Sequence, residues 1–106
     1  KSLAGFKLGV WSSHKQGRFE LPGSEAKYNV AAKYLYDEYP GNPNGSDYSA
    51  AAVCSADGRH LAMMPHLERA IFPWQNAYYP YNFRKHDVTP WMEAFVNARE
   101  WINKRK

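Results

Sequence analysis

Ala50-Ala51-Ala52-Val53-Cys54-Ser55-Ala56-Asp57-Gly58-Arg59-His60-Leu61-Ala62-Met63-Met64 is the stretch from which the fold is read. Two short runs, Ala50 to Ser55 and Arg59 to Met64, flank Asp57-Gly58, a dipeptide suited to the positive φ angles of a tight hairpin turn. A two-residue turn there sets Ala56 opposite Arg59 and Cys54 opposite Leu61. The reading is a β-hairpin, followed at once by Pro65-His66-Leu67-Glu68-Arg69.

Towards the amino terminus, Tyr39 to Ser46 (YPGNPNGS) is a dense run of turn formers and predicts a shaped loop. Val30 to Tyr36 reads as a strand, with Ala31-Ala32 leaving a helix open. Arg18 to Leu21 alternates polar and apolar residues, a strand ended by Pro22-Gly23. Phe6 to Ser13 suits a buried strand, followed by a polar loop around His14-Lys15-Gln16-Gly17. Towards the carboxyl terminus, Ile71 to Asp87 is an aromatic, proline-bearing crossing without regular pattern. The closing segment predicts a helix: Thr89 as cap, Pro90 in the first turn, and one stripe of Trp91, Ala94, Phe95, Ala98, Trp101 and Ile102 to dock on a sheet.

A chain of 106 residues suits one small domain. Four Trp, eight Tyr and five Phe exclude a disordered composition. No apolar run approaches the roughly 18 residues of a membrane span, and no signal peptide opens the chain, so no membrane partner is expected. Lys1 rather than Met as first residue fits a piece of a longer protein. A single cysteine, Cys54, excludes an internal disulfide and fits a cytoplasmic setting. The net charge of +4 sits largely in Lys104-Arg105-Lys106, with the rest scattered. Nucleic-acid modules gather such charge on one face with exposed aromatics, so this reads as solvated surface.

The chemistry centres on His66 and Glu68. In an extended segment residues two apart point to one side, so Glu68 reaches the imidazole and fixes its tautomer. That is the orienting half of a nucleophile–base–carboxylate triad. Cys54 does not supply the nucleophile. Its partner Leu61 stands five residues before His66, roughly 16 Å along a strand, whereas a base must lie within about 3 Å of its proton. Cys54 reads as a small core residue. His14, His60, His66 and His86 lack the short spacing of zinc ligands, so no metal site is expected. The residues alone leave His66-Leu67-Glu68 open between a structural pair and part of an active site.

Met63-Met64-Pro65-His66-Leu67-Glu68-Arg69 resembles the Pro-His-Pro-Glu-Arg signature of class I (triad) glutamine amidotransferases, with Leu67 at the family's second Pro. More narrowly, Tyr39-Pro40, Asn42-Pro43-Asn44-Gly45-Ser46, Asp57-Gly58-Arg59, Phe72-Pro73-Trp74-Gln75 and the run Pro90 to Arg99 resemble, in order, the carboxyl end of the phosphoribosylformylglycinamidine synthase family. That family's His-Gly-Glu-Gly-Arg reads His14-Lys15-Gln16-Gly17-Arg18 here. The resemblance implies an α/β fold, a class I glutamine amidotransferase-like (flavodoxin-like) sandwich. Residues 1–106 would be the strand-rich C-terminal portion of the glutaminase domain, closed by a helix. It implies His66 as the base and Glu68 as its orienting carboxylate in a Cys-His-Glu triad. The cysteine would lie upstream of Lys1, leaving these residues inactive alone, with His14 and Asn44 lining the glutamine site.

The implied partners are the upstream half of the glutaminase domain, the synthetase domain of the same chain, and glutamine as substrate. ATP and Mg would serve the synthetase part, with no cofactor bound by these residues. Faces left uncovered would favour self-association. The alternative is a non-catalytic interaction module using the aromatic segment 72–83.

Overall fold

The computed structural model describes residues 3–13, 15–76, 79 and 86–105. They form a small mixed α/β arrangement in two compact units, Ser12–Pro65 and the two segments Lys1–Trp11 with His66–Lys106. Strand β1 (Trp11–Ser12) is two residues long, so the strand expected over Phe6 to Ser13 contracts to its end. Among the described residues no helix is long and apolar enough to cross a membrane.

The first unit is built on a three-stranded antiparallel sheet in the order β2-β3-β4, with β2 at Asn29–Lys33, β3 at Ala50–Cys54 and β4 at Leu61–Met63. The central strand carries the core: Ala50, Ala51 and Ala52 are all buried. Small side chains there let neighbouring strands and loops close over both faces. The β3–β4 hairpin keeps the expected register, Cys54 opposite Leu61. Its turn starts earlier than a two-residue turn would. The Gly58 N–H donates to the Ser55 carbonyl, with Gly58 at φ +73°, because Ser55 and Asp57 offer local acceptors. Asp57 Oδ1 takes the Ser55 hydroxyl at 2.6 Å and the Arg59 N–H at 3.1 Å. Both contacts hold its carboxyl below the usual range, the hydroxyl more strongly. Cys54 is half-buried, not a core residue.

Strand β2 is Asn29–Lys33, so the expected run to Tyr36 stops early. The Tyr34 N–H still donates to the Ser49 carbonyl at 2.8 Å, after which the chain leaves for the turn-rich loop. That loop is organised by buried Asn42. Its Nδ2 donates to the Ser46 carbonyl and its Oδ1 accepts the Ser46 N–H, each at 3.0 Å. Ser46 and Asp47 then dock the segment expected as a strand over Arg18 to Leu21. The Phe19 N–H donates to Ser46 Oγ at 2.9 Å, the Leu21 N–H to Asp47 Oδ2 at 2.8 Å, and the Asp47 N–H to the Phe19 carbonyl at 3.0 Å. Arg18 to Leu21 forms no strand, and a loop takes the place of the strand neighbour that was expected. Tyr48 and Ser49 both sit at φ 56°, a left-handed conformation costing non-glycine residues about 1–3 kcal/mol each. The Tyr48 hydroxyl donates to the Gly23 carbonyl and the Ser49 hydroxyl to Asp37, so both residues are held from outside the turn.

Strand β5 (Pro65–His66) pairs with β1, and in the second unit the chain runs from His66 through 3-10 turns at Leu67–Arg69 and Pro73–Gln75 to the helix α1, Met92–Lys104. Two indoles tie the amino-terminal segment to this unit: Trp11 Nε1 donates to the Gln75 carbonyl and Trp91 Nε1 to the Gly9 carbonyl. Helix α1 differs from expectation in its cap and in its stripe. Thr89 does not cap it with its side chain; the first N–H groups close i→i−3 bonds, beginning with Met92 to the Thr89 carbonyl at 3.1 Å. The apolar stripe buries no residue fully, and Phe95 and Ile102 are 44% and 54% exposed. The guanidinium of Arg105, just past the helix, lies 3.7 Å over the Trp101 ring. Among the described residues strand content is low, short of the strand-rich portion expected.

Candidate functional site

Pro65 is buried and ends its strand with His66, whose backbone (φ −109°, ψ 96°) is still extended. The chain then tightens into the Leu67–Arg69 turn, closed by the Ala70 N–H donating to the Leu67 carbonyl at 2.9 Å. The break from strand to turn brings Glu68 back onto His66. The expected proximity holds, but its cause is the turn and not the alternation of a strand.

His66 Nδ1 and Glu68 Oε1 are 2.6 Å apart, the short separation of a charge-assisted hydrogen bond. With the Nδ1 proton directed to the carboxylate, the Nε2 lone pair is left to accept a proton, the tautomer a general base requires. The hydrogen bond from His66 holds the Glu68 carboxyl below the usual carboxylate range. Its own backbone N–H adds to this, desolvation opposes it, and the charges of His66 and Arg69 contribute least. The imidazole is 34% exposed and the carboxylate 57%, so the pair is open to a second reactant. The arrangement can take a proton, hold the resulting cation beside a carboxylate, and return the proton to a leaving group.

Of the other expected site residues, His14 lies outside the described residues. Asn44 belongs to the other unit, where its side-chain N–H donates to the Gly17 carbonyl at 3.0 Å; this contact shapes the loop. Cys54 sits in the hairpin opposite Leu61. Among the described residues no three His, Cys, Asp or Glu side chains gather as a metal site. Residues 77, 78 and 80–83 of the aromatic segment also lie outside the described residues. Within the rest, Phe72 and Trp74 stack nearly parallel, ring centroids 5.8 Å apart, with Trp74 79% exposed.

Thr89 is a residue that sequence reasoning placed wrongly. It is buried, and its hydroxyl donates to the Ala70 carbonyl at 2.6 Å, at the end of the His66–Glu68 turn. A capping-type residue ahead of a helix gives no sequence signal for a partner 19 residues back.

The sequence model of the CobB/CobQ-like glutamine amidotransferase domain matches residues 2–102. The chain is 40% identical over 113 residues to phosphoribosylformylglycinamidine synthase of Homo sapiens, covering 95% of this chain. It is 40% identical over 116 residues to the probable phosphoribosylformylglycinamidine synthase, chloroplastic/mitochondrial, of Arabidopsis thaliana, covering 96%. The Dictyostelium discoideum phosphoribosylformylglycinamidine synthase is 36% identical over 120 residues. The chain spans only 8% of the length of the first two of these relatives and 9% of the third.

Proposed function

The chain belongs to the CobB/CobQ-like glutamine amidotransferase domain family, and from that premise we propose that residues 1–106 are the C-terminal portion of the glutaminase domain of a phosphoribosylformylglycinamidine synthase. The observation that carries the reading is the 2.6 Å contact between His66 Nδ1 and Glu68 Oε1. Its parent fold is the flavodoxin-like sandwich of class I amidotransferases, completed by the upstream half of the domain, and the enzyme works in the cytoplasm in de novo purine biosynthesis.

A cysteine from the upstream half gives its proton to His66 Nε2, and the thiolate adds to the amide carbon of glutamine. Glu68 holds the imidazolium so formed. His66 then returns the proton to the amide nitrogen as the carbon–nitrogen bond breaks, releasing ammonia and leaving a thioester that water hydrolyses to glutamate. The ammonia passes to the synthetase domain of the same chain, which converts formylglycinamide ribonucleotide to formylglycinamidine ribonucleotide with ATP and Mg. No residue described here is assigned to ATP or Mg. Uncovered faces of the isolated residues favour self-association.

The test is His66→Ala in the full-length protein that carries this chain. Glutamine-driven synthesis should fall at least about a hundredfold (the scale of a lost general base) while synthesis driven by added ammonia persists. Equal loss of both activities, or loss of neither, refutes the assignment. A second reading, a non-catalytic interaction module, is favoured by the exposed Phe72–Trp74 stack. It requires that glutamine-driven activity survive His66→Ala.

A further inference from the structure

The His66–Glu68 pair is only as well placed as the backbone of the turn that joins its members, and that turn has a distant anchor in Thr89. Ala70 closes the turn with its N–H, and it is fully buried. Its carbonyl faces Thr89, whose hydroxyl donates to it at 2.6 Å. The Thr89 N–H donates to the next carbonyl, that of Ile71, at 2.6 Å. Two consecutive carbonyls leaving the turn are therefore bound by one residue that is 2% exposed. Thr89 is fixed in turn, because its own carbonyl accepts the Met92 N–H at the start of α1, and neighbouring Trp91 is tied to the Gly9 carbonyl at 2.9 Å.

We infer that Thr89 is a positioning residue for the His66–Glu68 pair: its hydroxyl sets the orientation of the Ala70 peptide, and through it the turn that keeps the Glu68 carboxylate on Nδ1. The inference rests on the glutaminase reading above. Valine matches threonine in shape but offers no donor, so Thr89→Val leaves the buried Ala70 carbonyl without the Thr89 hydroxyl. A buried acceptor stripped of its donor turns towards another partner or water, carrying its peptide with it. Misplacing a reacting group by about 1 Å can cost about a hundredfold in rate.

The experiment uses the full-length protein, comparing Thr89→Val, Thr89→Ser and Thr89→Ala, with His66→Ala alongside, in glutamine hydrolysis per mole of folded enzyme. Thr89→Val should lower kcat about a hundredfold with little change in KM for glutamine, and should displace the acid limb of the kcat–pH profile. Thr89→Ser, which keeps the hydroxyl, should restore both. If valine prevents folding, Thr89→Ala leaves space for a water at the Ala70 carbonyl and should still lose part of kcat. Parental kcat and pH profile in either the valine or the alanine variant, with only Tm reduced, would overturn the inference while leaving the glutaminase reading intact. Undiminished hydrolysis in His66→Ala would overturn both.

Discussion

Asn42→Ala tests the loop that replaces a strand neighbour for Arg18–Leu21. Asn42 is 3% exposed and makes two hydrogen bonds with one residue, donating to the Ser46 carbonyl and accepting the Ser46 N–H. At about 1 kcal/mol each, their loss removes about 2 kcal/mol of local stability, which is about a 30-fold change in an opening equilibrium. The effect should spread along a defined route. Ser46 Oγ accepts the Phe19 N–H, and Asp47 accepts the Leu21 N–H. Amide hydrogen exchange followed by NMR should show protection at Ser46 falling about 30-fold (the same 2 kcal/mol), with Phe19 and Leu21 falling alongside. Asn42→Asp should be no better than alanine, since it sets a carboxylate oxygen against the Ser46 carbonyl. Unchanged protection at Ser46 would refute the assignment. Loss at Ser46 with Phe19 and Leu21 still protected would refute the coupling of loop to segment.

Two further predictions concern single residues. The Glu68 carboxyl titrates below the ordinary range, so its bond to His66 is present above the usual glutamate pKa and lost as pH falls through the depressed value. Carboxyl-carbon NMR should give a low midpoint that rises towards the ordinary range in His66→Ala, and a midpoint indifferent to that substitution would sink the pairing. Gly41→Ala should lower the urea midpoint, since its Cβ would stand 2.7 Å from Tyr36 Cβ and 2.9 Å from Cδ2. The contact is with the root of the ring and not its mobile end, so about 1–3 kcal/mol is expected; an unchanged midpoint would refute the close approach.

What could be read in the sequence separates cleanly by the reach of the interactions. The hairpin and its register were legible because Asp57-Gly58 carries its own geometry. The Cys54–Leu61 pair survives although the turn closes at Ser55 and not between Ala56 and Arg59. The His66–Glu68 contact was legible for a related reason. Two side chains that close in the chain can meet through either a strand or a 3-10 turn, so the contact was right even where the backbone was wrong. Arg18–Leu21 failed because alternation reports which side chains face inward and is blind to what binds the backbone. A strand and the side chains of Ser46 and Asp47 satisfy the same N–H groups. The helix stripe failed similarly: period 3.6 names the apolar face of α1 but not its cover, and Phe95 and Ile102 remain substantially exposed. Thr89 is the sharpest case. Its hydroxyl could serve the helix beginning beside it or the carbonyl of Ala70, and composition favours the local partner. The buried carbonyl wins because a helix N–H can instead close an i→i−3 bond, as Met92 does, whereas a buried carbonyl loses a good donor with no such local substitute.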